Sequence, residues 1–172
     1  MAAKDIQTSG VNKGWYTAEK IVAILIALWG IFTTYNLASA VSDQVYINFT
    51  RHITTSYLEI IKNSHLGIIL SFLSIFGGFL LYFNDREGWL MCIPSTAMFA
   101  VNFFIAARSN SIDTALIYGR YYKSYGITAL ILIAVTIFLL QKPVWKKYKP
   151  TLKTWFWVGG IMLAFIIDKI IF

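Results

Sequence analysis

Apolar runs of about 20 residues recur along this chain, near 21–41, 66–83, 89–107, 125–141 and 154–172, and a helix needs that length to cross a hydrocarbon layer ~30 Å thick. Inside lipid no water satisfies a backbone N–H or C=O, so only helices and closed barrels span it. The runs are continuous rather than alternating, which selects helices. The expected fold is an all-α integral membrane protein, a polytopic helical bundle of about five transmembrane helices. Residues 1–20 read as a polar N-terminal tail and 21–172 as a single transmembrane domain.

Composition supports that class. Charged residues make up 13% of the chain and hydrophobic ones 58%, against about 25% charged in soluble domains. The polar stretches between runs are too short to fold alone, since domains below about 40 residues usually need disulfides or metals. The lone cysteine, Cys92, lies inside an apolar run and cannot form a disulfide within the chain. The net charge of +7 is concentrated in Lys142, Lys146, Lys147, Lys149 and Lys153, beside membrane runs. That placement indicates topology and contact with anionic phospholipid headgroups, not nucleic acid.

Between the runs, Val45, Phe49, Ile53, Tyr57, Ile60 and Ile61 recur at three- and four-residue spacing, with Arg51, Thr54, Glu59 and Lys62 elsewhere. Residues 45–63 are therefore expected to form an interfacial amphipathic helix. Asn48-Phe49-Thr50 matches a glycosylation acceptor, a short pattern of little weight. Ala38-Ser39-Ala40 fits the small-residue cleavage pattern of a secretory leader, but retention of 21–41 as a span is expected. The turn Asn84-Asp85-Arg86-Glu87-Gly88 forces the second and third runs into an antiparallel hairpin. Along the second run Gly67, Ser71, Ser74 and Gly78 recur in steps of four, three and four, a small-residue seam that permits close backbone approach. It is expected to pack the second run on the third, or to meet a partner. Tyr118, Tyr121, Tyr122 and Tyr125 mark a headgroup belt, and Gln141-Lys142-Pro143 ends the fourth run.

Counting Lys and Arg by side, a cytoplasmic amino terminus puts nine inside and six outside. The expected orientation is amino terminus in and carboxyl terminus out, in a multi-pass protein of a bacterial inner or plasma membrane. Asn36 and Asn102 are the deepest strong polar groups, and their amides should bond across helices. Asp168, adjoining Lys169 near the chain's end, is expected at the interface. His52 and His65 have no companion Cys or carboxylate cluster, so neither a metal nor a haem site is expected. No catalytic triad or phosphate loop is apparent, and no cofactor is expected.

Three functions compete. A non-catalytic subunit or assembly partner of a larger membrane complex suits the small-residue seam and the aromatic surface. A small-solute transporter or channel, working as a homo-oligomer, would want converging mid-membrane polar groups or broken helices, for which Asn36, Asn102 and Pro94 are the material. A membrane-embedded lipid-modifying enzyme would draw on Arg51, His52, Glu59, Arg108, Asp113 and Arg120 at one interface. The first is the expected function.

Overall fold

The computed structural model describes residues 13–51, 57–108 and 122–171. Its elements are α1 (Lys13–Arg51), α2 (Tyr57–Tyr82), α3 (Arg86–Arg108), α4 (Tyr122–Leu139), α5 (Lys142–Tyr148) and α6 (Leu152–Ile171). The described residues are all helix and connecting turns. Expected runs and observed helices coincide to within a few residues, except in the first run and the segment after it. α1 begins at Lys13, so Trp15, Tyr16, Glu19 and Lys20 are helical rather than part of a tail. The interfacial helix expected at 45–63 is not one element: 45–51 complete α1 and 57–63 begin α2. The chain holds neither glycine nor proline between Gly30 and Gly67. Nothing of that kind interrupts propagation as far as Arg51, and from Tyr57 onward the same apolar spacing extends α2 instead.

Three helices are long and apolar enough to cross a membrane, within Lys13–Ile47, His65–Tyr82 and Arg86–Ala107. A fourth crossing results if α4 and α5, bent by 56°, count as one span. Five crossings are therefore a proposal.

The antiparallel order brings the start of α1, the α2–α3 turn, the end of α4, all of α5 and the start of α6 to one end of the bundle, as pairings such as Glu19 with Lys147 and Arg86 with Thr151 show. At that end the turn is built by Asn84 in the left-handed region at φ 63°, which asparagine tolerates better than most residues. Asp85 then caps α3, its Oδ1 accepting from the Glu87 amide at 3.0 Å. Pro143 has no N–H to give the Leu139 carbonyl four residues earlier. The buried Trp89 indole supplies the missing donor at 2.9 Å. One proline thus ends α4, turns the chain and gives α3 a place to dock.

Packing divides the interior into two clusters. Leu81, Trp89, Cys92, Leu139, Val144 and Tyr148 fill the α5 end. Leu66, Leu70, Met98, Phe99, Leu132 and Phe165 fill the opposite half. Outward, Leu25, Leu28 and Phe32 of α1, Phe72, Phe76 and Phe79 of α2, Leu130 of α4 and Phe156 of α6 are exposed. An apolar jacket of that extent is far beyond what water tolerates and is compatible with a membrane protein.

Candidate functional site

The small-residue seam of α2 lies against α1, not α3. An added Cβ on Gly78 would fall 2.7 Å from the Ala23 carbonyl oxygen, and one on Gly67 3.0 Å from the Leu37 side chain. The Ser71 and Thr33 hydroxyls are hydrogen-bonded at 2.8 Å. Ser71 and Ser74 are fully buried. α1 answers with its own inward stripe, Ala23, Ile26, Gly30, Thr33 and Leu37, in steps of three and four. At Gly30 a Cβ would meet Ser71 O at 2.7 Å and Ile75 at 2.8 Å, so α1 and α2 touch through backbone. Gly77, one residue off the seam, is what meets Met91 and Cys92 of α3.

Asn36 sits off the inward stripe and is exposed on the outer face of α1, contrary to its expected role between helices. Hydroxyl contacts between helices in the middle of the bundle come instead from threonines, Thr33 with Ser71 and Thr96 with Thr136 at 2.9 Å. Their Oγ atoms also return a bond to a carbonyl one turn back, which conceals them in an apolar sequence. Asn102 Oδ1, Ser74 Oγ and Trp29 Nε1 are buried with no hydrogen-bond partner among the described residues.

The strongest electrostatic feature is at the α5 end. Glu19, 2% exposed, accepts 2.8 Å from Lys147 Nζ at one carboxylate oxygen and from the Tyr148 hydroxyl at the other. Lys147 also donates to Asn84 Oδ1 at 2.7 Å. Its ammonium lies 5.1 Å from the Tyr16 and Tyr148 ring centres. Lys20 stands 4.6 Å from the Tyr82 ring and 5.2 Å from Tyr16. Burial, and then the Glu19 carboxylate, hold the Tyr148 hydroxyl far above the ordinary phenol range, so it stays protonated and donates its hydrogen bond to Glu19. Tyr148 stacks on Trp89 at 5.8 Å, and Arg86 donates to Thr151 at 3.3 Å and to Thr154. A buried ion pair with a further hydrogen bond on each partner thereby ties α5 to α1 and to the α2–α3 turn.

Lys147, grouped in the sequence with the headgroup lysines, is thus committed to Glu19, with 8% of its side chain exposed. Lys142, Lys146, Lys149 and Lys153 are exposed. Sequence reading missed Glu19; the available signal was an acid two residues before the first apolar run.

At the opposite end Asp168 is half-buried and lies against His65, its oxygens 3.0 and 2.9 Å from Nε2. It continues the inward stripe Thr154, Val158, Ile161, Phe165 of α6, whereas Gly160 and Ala164 are exposed. His52, Asp113 and Arg120 lie outside the described residues, and the side chains of Arg51, Glu59 and Arg108 are not described.

Comparison of the chain with protein-family models, with curated proteins and with solved structures finds no match.

Proposed function

We propose that this chain is a five-span membrane protein, amino terminus cytoplasmic and carboxyl terminus external, that serves as a non-catalytic subunit or assembly partner of a larger membrane complex. The observation that carries the reading is the outer face of α1. Asn36 is exposed there beside Tyr35, which is 72% exposed. An amide facing hydrocarbon is costly and is relieved by bonding to another helix. The same helix continues past the apolar run with Tyr46 and Phe49 exposed at 68% and 81%. At 39 residues and 1.5 Å per residue α1 is about 58 Å long, well beyond the ~30 Å hydrocarbon layer. An apolar surface outside the bilayer suits a protein partner. With the α2 seam occupied by α1, this face is the contact surface. The exposed lysines 142, 146, 149 and 153 hold the adjoining loop to anionic lipid, each worth about 1 kcal/mol near such a surface.

A photocrosslinking residue at position 36 or 46, compared with one at Leu130, tests the proposal in native membranes. A distinct protein captured from α1 and not from α4 supports it. A homogeneous homo-oligomer purified in mild detergent, free of other proteins and catalysing solute flux when reconstituted, would replace it with the transporter reading, which the buried and unpartnered Asn102, Ser74 and Trp29 atoms favour. Cysteine labelling after replacement of Cys92 tests the topology: position 146 reached only from outside contradicts the orientation, and termini on one side contradict five spans.

A further inference from the structure

Three polar groups cap the second hydrophobic cluster on one side. Leu66, Met98, Phe99 and Phe165 belong to that cluster. His65 precedes Leu66 on α2, Asn102 follows Met98 by four and Phe99 by three on α3, and Asp168 follows Phe165 by three on α6. α2 runs towards the α5 end while α3 and α6 run away from it. Each of these steps therefore leads to the same rim, at the end opposite α5. His65 and Asp168 meet there directly, with 29% and 27% of their side chains exposed.

Among the described residues, acceptors outnumber donors at this rim. A carboxylate offers about four lone-pair sites and an amide oxygen two. The described residues supply Asp168 with the His65 ring nitrogen and supply Asn102 Oδ1 with nothing, although that oxygen is buried. Such an orphaned acceptor is uncommon in a native interior and calls for a donor. The missing group must be compact, rich in N–H and cationic, because one of its acceptors is a carboxylate half-withdrawn from water.

We propose that Asp168, Asn102 and His65 form a binding site for a primary ammonium group. Three N–H donors match the two carboxylate oxygens and the amide oxygen, and the positive charge offsets that of Asp168. A quaternary ammonium carries the same charge with no N–H and is not held. The ammonium can belong to an aminophospholipid headgroup, since His65 opens the apolar run His65–Tyr82 and so lies at headgroup depth, or to a soluble primary amine. The lipid source rests on the membrane reading; neither source depends on the subunit role.

The test uses the purified full-length chain in detergent. Native mass spectrometry measures retention of phosphatidylethanolamine against phosphatidylcholine, and calorimetry measures ethanolamine against choline. The expected result is at least a tenfold preference for phosphatidylethanolamine, about 1.4 kcal/mol, lost in Asp168→Asn and in Asn102→Leu. Variants are compared only where helicity and gel-filtration profile match the parent, and Asn102→Leu decides alone if Asp168→Asn does not fold. Ethanolamine bound with phosphatidylethanolamine ignored supports the site and makes the ligand a soluble amine. Equal affinity for primary and quaternary ammonium, parental binding in both variants, or uptake of a divalent metal in place of the amine would each overturn the proposal. Because the chain is assayed without partners, failure here leaves the assembly reading untouched.

Discussion

Replacing Lys147 by methionine should be among the most damaging single changes in the chain, although it keeps most of the side chain's volume. Glu19 is 2% exposed, and the substitution leaves its carboxylate with the Tyr148 hydroxyl alone. Removing one member of a buried pair typically costs about 3–5 kcal/mol, because the remaining charge stays desolvated without compensation. Glu19→Gln leaves the ammonium without a counter-charge in turn, with amide oxygens alone as its side-chain acceptors. The double variant Glu19→Gln, Lys147→Met removes both charges and should recover most of the loss, since exchanging a buried ion pair for neutral groups is often close to neutral. The coupling between the two positions is therefore expected to be at least about 2 kcal/mol, at the upper end of what neighbouring residues show. Unfolding by sodium dodecyl sulfate in mixed micelles, followed by tryptophan fluorescence, measures it, with Trp89 stacked on Tyr148 as the reporter. A loss below about 1 kcal/mol in Lys147→Met, or a double variant equal to the sum of the singles, would show that the pair is solvated and not part of the fold.

Four smaller predictions follow from the packing. Gly30→Leu, Ser74→Leu and Gly78→Leu should abolish the folded particle on gel filtration while Phe79→Leu, at a position 59% exposed, leaves it intact; equal recovery of all four would mean α1 and α2 do not touch through backbone. Trp89→Phe should cost about 1–2 kcal/mol, because it removes the only donor described for the Leu139 carbonyl, and an unchanged unfolding midpoint argues against that bond. Thr33→Val and Thr96→Val should each cost only about 0.6 kcal/mol, the average for such bonds within membranes, so a loss several times larger would indicate a role beyond gluing helices. Lys142, Lys146 and Lys149 replaced together by glutamine should weaken retention of anionic lipid without changing thermal stability; lipid association that ignores both the substitutions and added salt rejects headgroup contact.

The helices were legible because each run repeats one apolar pattern about twenty times, and a pattern so repeated survives individual exceptions. The seam Gly67, Ser71, Ser74, Gly78 was legible as a packing face for a related reason, since small residues at heptad spacing have little other use inside an apolar helix. Its partner was not. The charged turn makes α2 and α3 neighbours in sequence, but a helix has more than one face, and Gly77 serves α3 while the seam serves α1. The extended α1 escaped because an amphipathic pattern specifies which side of a helix is apolar and says nothing of whether that helix is a separate element. Glu19 and Lys147 escaped because their link spans 128 residues; each read locally as an ordinary charge beside a span. Asn36 and Asn102 show the limit from the other side. Both are amides in apolar runs, and only the phase of each helix decides that one is exposed and the other carries a buried oxygen.

The distance between Glu19 and its partner also sets an order of events during biosynthesis. At 5–20 residues per second, Lys147 leaves the ribosome roughly 6 to 26 seconds after Glu19. Through that interval the Glu19 carboxylate at the start of α1 has no counter-charge from α5. α1 is therefore provisional until α5 arrives, and a chain interrupted anywhere before position 147 leaves the Glu19 carboxylate without the ammonium that compensates it.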